Sequence, residues 1–234
     1  IRPLPDLIDL ILAENEQRAV SGEPVLHHDV IVSNAWAFFF AGYETTSTAL
    51  AYTSHLLATH PQAQQTLYDE VLATFGTNGE VDYDRVMKLP YLHAVFCESL
   101  RLLPPVLTFT GRQCIKDTVI GGKYRIPAGV NVQAPVHAIM WDERNYDDAR
   151  VFRPERFLDE GKASWSPVLM PFGIGPRNCV GARFAEMEYK TVLAEIVRGF
   201  RFDVDPEQPE LKSVMCSALH TPLNNELYLK LSER

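Results

Sequence analysis

The chain has 234 residues, of which 46% are hydrophobic and 22% charged. That is ordinary globular composition, enough for a core and unlike a disordered segment. The net charge of −8, with no basic run, excludes nucleic acid as the main partner, because phosphate binding needs a basic surface.

The sequence opens on Ile1 and Arg2-Pro3-Leu4-Pro5, without a secretory or transit segment, so further residues upstream are expected. Leu7, Ile8, Leu10, Ile11 and Leu12 predict a short helix that fades at Ser21-Gly22-Glu23-Pro24. A long helix is predicted next, with Asp29 as its N-cap. It runs through Trp36, Phe39, Tyr43, Leu50 and Leu57 to His60-Pro61, about 45 Å at the usual rise. Rich in Phe, Ala and Val, it is expected to lie buried across the middle of a domain. Its most apolar part, Val30 to Tyr43, is too short to cross a bilayer, so the chain as it stands is expected to be soluble or peripheral.

Pro61 opens another helix through Leu67, Val71 and Leu72 to Gly76. A further one runs from Tyr91 to Leu103 and stops at Pro104-Pro105. After Val106, β-branched alternation predicts short strands around Thr118 to Ile126, with turns at Gly121-Gly122 and Pro127-Ala128-Gly129. Tyr146 to Ser166 reads as irregular, Gly173 to Gly181 as a glycine-rich loop, Ala182 to Phe200 as a helix, and Leu223 to Leu231 as a hairpin around Asn224-Asn225. The fold class is mainly α with small β-sheets, in a single body without repeats or linkers.

The four cysteines, Cys97, Cys114, Cys179 and Cys216, form no CxxC pair and fit no zinc spacing, so each is a separate thiol in a reducing compartment. Cys179 stands out. It sits in Pro171-Phe172-Gly173-Ile174-Gly175-Pro176-Arg177-Asn178-Cys179-Val180-Gly181, just ahead of a predicted helix. Glycines let the backbone approach a flat partner closely. A helix N-terminus and the nearby Arg177 favour a thiolate, which suits a metal ligand or a nucleophile. A small buried core cysteine is the plain alternative. A nucleophile would want a histidine base, and neither His137 nor His220 has a local signature.

Phe172, Gly175, Arg177, Cys179 and Gly181 reproduce the FxxGxRxCxG signature, and in this the chain resembles the cytochrome P-450 family of haem-thiolate enzymes. The resemblance implies that Cys179 is the axial ligand of the iron of haem b (iron protoporphyrin IX), its thiolate favouring O–O cleavage. It also implies that Arg177 pairs with a haem propionate, a carboxylate suited to guanidinium geometry.

Glu98-Ser99-Leu100-Arg101 places a carboxylate and a guanidinium three apart on one helical face. An isolated pair of this kind is usually a weak surface ion pair. Its flanks, Val95, Phe96, Leu100, Leu102 and Leu103, are apolar, so burial is expected. The resemblance adds Arg156, from Pro154-Glu155-Arg156-Phe157, as third member of a structural triad with Glu98 and Arg101. It implies a second propionate-binding arginine at Arg112, with a surface arginine as the alternative reading.

Ala41-Gly42-Tyr43-Glu44-Thr45-Thr46 interrupts the apolar long helix. A solvated turn would explain it. A glycine and a carboxylate in such a helix cost stability, however, and local rule-breaking often marks function. A threonine hydroxyl there can bond back to a carbonyl and bend the helix. The stretch matches the family's AGxET motif. The resemblance implies that Thr45 stabilises bound dioxygen, that Glu44 relays protons, and that Ala41 and Gly42 lie over the haem face.

The four motifs occur in family order and cover almost the whole chain. By resemblance it is the C-terminal haem-binding half, one partial domain over residues 1–234, of a monooxygenase of the eukaryotic microsomal type. Such an enzyme inserts one atom of O₂ into a small apolar organic substrate, with Val106 to Phe109 as candidate pocket residues. Electrons would come from an NADPH-dependent flavoprotein reductase. The longer parent would sit on the endoplasmic reticulum membrane through an N-terminal anchor. Two other functions stay open: a haem-thiolate isomerase or dehydratase, which would not need Glu44 and Thr45, and a truncated non-catalytic fragment. Ala138-Ile139-Met140-Trp141-Asp142 departs from the His-Arg that many family members carry before the aspartate.

Overall fold

Helix α1 (Leu7–Ser21) begins where Asp6 can cap it: the Asp6 carboxylate accepts the Ile8 and Asp9 amides, and Asp9 returns the bond to the Asp6 amide. It ends at Gly22, whose φ of 76° is the left-handed conformation that a helix C-terminus favours in glycine. The computed structural model describes residues 5–107, 111–158, 165–207, 211, 213–216, 219–222 and 227–234. The chain divides into two units, Ile1–Glu44 and Thr45–Arg234, with the boundary inside helix α2 (His28–Thr59).

In the first unit, Asn15 ties α1 to the chain before α2. Its amide donates to the Leu26 carbonyl at 3.0 Å and its carbonyl accepts the Leu26 N–H at 2.6 Å. The helix starts at His28, so Asp29 lies in the first turn and is not the N-cap expected of it; its negative charge still favours the helix N-terminus. The expected burial of the whole helix also needs correction. Trp36, Phe39 and Tyr43 are about two-thirds exposed. Spaced three and four apart, their rings meet along one helix face, Trp36 edge-on to Phe39 and Phe39 stacked on Tyr43. Continuous burial begins only in the second unit, where Thr46, Thr48, Ala49, Tyr52 and Thr53 are buried.

The second unit contains α3 (Pro61–Phe75), α4 (Tyr83–Val86), α5 (Pro90–Leu102), α6 (Val136–Met140) and α7 (Ala182–Gly199). Every α5 residue from Tyr91 to Leu102 except His93 is buried, Glu98, Ser99 and Arg101 included. Helix α7 packs on α3, α4 and α5, and Leu57, Leu67, Val71, Leu92, Val95, Leu193 and Val197 are wholly buried among them.

Among the described residues the strands form four antiparallel pairs. β1 (Gly111–Gln113) pairs with β4 (Asn131–Gln133), and β2 (Thr118–Ile120) with β3 (Tyr124–Ile126) across the Gly121-Gly122 turn. β5 (Phe200–Val204) pairs with β8 (Leu229–Glu233), and β6 (Ser213–Cys216) with β7 (Leu219–Pro222). Mainly α with small sheets is thus the observed class. β1, β4 and β5 were not foreseen, because strands of three to five residues paired over long separations leave little local pattern; the local β6–β7 pair, which lies ahead of the hairpin expected over Leu223 to Leu231, was not foreseen either. The turn expected at Asn224-Asn225 lies outside the described residues. No helix among the described residues is long and apolar enough to cross a membrane.

Candidate functional site

The cysteine loop is held by its own backbone. The Cys179 N–H donates to the Phe172 carbonyl at 2.8 Å, and the Asn178 N–H closes a turn onto Gly175 at 3.1 Å. Gly173 and Gly175 adopt φ of 72° and 81°, which explains glycine at both. The Cys179 thiol is free and exposed, and Arg177 is exposed two residues before it. A Cβ added at Gly175 or Gly181 would meet nothing within 4 Å, so the loop presents an open face. Helix α7 starts just beyond, with Gly181 at its N-cap. An accessible thiol with a guanidinium nearby, on a face no side chain fills, is a donor set that fits a haem carrying anionic propionates.

Phe172 anchors this loop. Its ring lies 5.4 Å from Trp165 and 6.1 Å from Phe96 of α5. Two residues further along α5, Glu98 and Arg101 are completely buried and joined twice: Arg101 Nε donates to Oε2 at 2.7 Å and an Nη donates to Oε1 at 2.9 Å. Arg101 also donates to the Met140 and Ala149 carbonyls, and its guanidinium lies 4.8 Å over the Tyr146 ring. Arg156, in the 3₁₀ turn Pro154–Phe157, donates to Glu98 at 3.1 Å. The Arg153 N–H donates to the same oxygen at 2.9 Å. Glu98, Arg101 and Arg156 therefore meet in one network, whose acceptors all have donors as burial requires.

Ala41, Gly42 and Glu44 belong to the first unit, with Ala41 exposed and Gly42 and Glu44 half-buried. Thr45, half-buried, opens the second unit, and the Thr46 hydroxyl beside it is buried with no hydrogen bond to a described residue. Arg112 is exposed on β1 and donates to the Gly111 carbonyl. An open groove of about 470 Å³ is lined by Leu107, Gln133, Pro135, His137 and Ala138. Val106 bridges to Leu219 of β7. Thr108 and Phe109 lie outside the described residues.

Two groups of residues were not singled out from the sequence. His93, on α5, donates from Nδ1 to Glu186 of α7 at 3.1 Å, and Lys190 donates to the same carboxylate at 2.8 Å. Burial pushes the Glu186 carboxyl up, but these two bonds outweigh it and hold it down to about 2. The second group is Thr53, Ser99 and Tyr189. The Tyr189 phenol oxygen lies 2.5 Å from Thr53 Oγ1, and Ser99 is buried close to it. Only the i, i+4 pair Glu186 and Lys190 had a local signal; the other partners lie far apart in sequence.

A family model of cytochrome P450 matches residues 2–228. Cytochrome P450 9e2 of Blattella germanica is 35% identical over 98% of this chain and 46% of its own length. Cytochrome P450 3A41 of Mus musculus is 40% identical over 84% of this chain and 39% of its own. The chain belongs to the cytochrome P450 family and spans less than half the length of these relatives.

Proposed function

We propose that this chain is the haem-binding part of a haem-thiolate monooxygenase. The observation that carries the reading is the exposed Cys179 thiol on a glycine-opened loop, in a chain of this family. Haem b, when bound, supplies the iron at which dioxygen is reduced. The chain's own residues do the rest. Cys179 gives the sulfur ligand, with Phe172, Gly175 and Gly181 shaping its loop. Arg177 and Arg112 would neutralise propionates, and Ala41 and Gly42 would offer the haem a small surface. Thr45 would offer its hydroxyl to dioxygen, and Glu44 would supply protons. Glu98, Arg101 and Arg156 retain the haem-side core and take no part in the chemistry.

The substrate is a small apolar organic molecule, a reading supported by Val106 and Leu107 among the candidate pocket residues. The longer protein would dock on the endoplasmic reticulum membrane and receive electrons from an NADPH-dependent flavoprotein reductase. Retention of both Glu44 and Thr45 favours O₂ chemistry over rearrangement or dehydration.

The test is the difference spectrum of the reduced, haem-supplied protein with carbon monoxide. A strongly red-shifted Soret band that disappears in Cys179→Ala is expected. A band typical of histidine ligation, or one unchanged by that substitution, overturns the role of Cys179.

A further inference from the structure

The buried phenol of Tyr189 has a direction that its partners impose. Thr53 Oγ1 lies 2.8 Å from the Ala49 carbonyl and 2.5 Å from the phenol oxygen. A carbonyl only accepts, so with the single Thr53 hydroxyl hydrogen on Ala49 the phenol is the donor to Thr53. The result is a one-way chain from Tyr189 through Thr53 to the Ala49 carbonyl, all of it buried.

Back-bonding of a threonine to the carbonyl four residues earlier bends a helix at that point. Here Ser54 repeats it on Leu50 at 2.9 Å, so two adjacent carbonyls of α2 carry an extra donor. Ala49 is one turn beyond Thr45, on the same face. The phenol cannot swing away. Its ring packs 4.8 Å from Phe96, which packs 6.1 Å from Phe172 of the cysteine loop. Tyr189 also stands on the helix that begins just after Cys179.

We infer that Tyr189 is a positioning residue for oxygen chemistry: by its bond to Thr53 it fixes the course of α2 one to two turns beyond Thr45, and it couples that stretch to the core that anchors the cysteine loop. The inference rests on the proposed monooxygenase reading. Displaced by a fraction of an ångström, Thr45 would hold dioxygen out of line with the protons that Glu44 supplies. Two electrons and two protons would then convert O₂ to H₂O₂, instead of converting O₂ and a substrate R–H to R–OH and water.

The experiment uses the natural chain that carries this sequence, loaded with haem, as parent, Tyr189→Phe, Thr53→Val, the double variant and Thr53→Ser. Tyr189→Phe keeps the ring and its packing and removes only the donor. Three quantities are read: the carbon monoxide spectrum, amide exchange over Ala49 to Thr53, and peroxide released per reductant oxidised. The thiolate spectrum should persist in all. Exchange should quicken roughly tenfold in both single variants. Peroxide per reductant should rise about threefold or more, the double variant should match the worse single one, and Thr53→Ser should stay near the parent. Unchanged exchange and peroxide partition with an intact thiolate spectrum overturn the inference alone, as does a Thr53→Ser that behaves like Thr53→Val. A parent without the thiolate spectrum sinks the monooxygenase reading itself, and the inference falls with it.

Discussion

Glu70 reaches from α3 to hold the first turn of α5: its Oε1 accepts the Tyr91 N–H at 2.8 Å and its Oε2 the Leu92 N–H at 2.9 Å. Helix α5 begins with Pro90, and its N-cap Leu89 has no acceptor to offer. A carboxylate from another helix therefore does the work of a cap, with its charge at the favourable end of the dipole. Glu70→Ala should cost about 1–2 kcal/mol in a urea titration. Glu70→Gln should cost less, because one acceptor oxygen survives. Equal midpoints for parent and Glu70→Ala would refute the capping role.

Arg101 serves Glu98, Met140 and Ala149 at once, with no exposure to water. A lysine there offers one point charge where a planar fork now reaches three partners. Arg101→Lys and Glu98→Gln should each lower stability by about 3–5 kcal/mol, because each leaves buried polar groups unpaired. Arg156→Ala should cost less, since Glu98 keeps Arg101 and the Arg153 N–H. Thermal unfolding ranks the three, and an Arg156→Ala more damaging than Arg101→Lys would contradict the network as described.

Glu186 is held at about 2, below its ordinary 4.5, despite burial that by itself pushes it up. The unfolded chain therefore binds the proton more readily over that interval, and stability rises with pH. The contribution is complete above about pH 4.5 and is lost as pH falls towards 2. Glu186→Gln should lose about 2 kcal/mol at pH 7 and flatten the acid limb of the stability curve. An acid limb of the same slope in the variant would assign that limb to other carboxyls.

His137 and His220 titrate with the same sign on another range. Burial lowers both; Arg101 and Arg150 further disfavour charge on His137, and His137 disfavours it on His220, whose ring centre lies 6.2 Å away. Both take up a proton more readily when unfolded, so stability is complete above the ordinary histidine range and declines as pH drops below it. His220 also holds Ser213 across the β6–β7 pair at 2.7 Å. His137→Phe should shrink the loss of stability between about pH 7 and 5.5, and chemical denaturation at several pH values would detect it. An undiminished loss would place the titration elsewhere.

The helices were legible because their apolar residues repeat within a few positions, and α1, α3, α5 and α7 lie where that period puts them. The loop around Cys179 was legible for a related reason: its glycines, arginine and cysteine are close in sequence. α2 shows where the reading stopped. Its composition spoke for burial throughout, yet Trp36, Phe39 and Tyr43 cover one another on an exposed face.

The sequence by itself determined the mainly helical class, the family's motifs and the open thiol loop, because each depends on residues only a few positions apart. Only the tertiary structure decided that Glu186 also takes His93 from α5, that Glu70 of α3 caps α5, and that Tyr189 meets a threonine 136 residues away. Those partners lie on different elements. Packing in the buried core brings them within hydrogen-bonding distance, and the cost of leaving a buried polar group unpaired then fixes which of them meet.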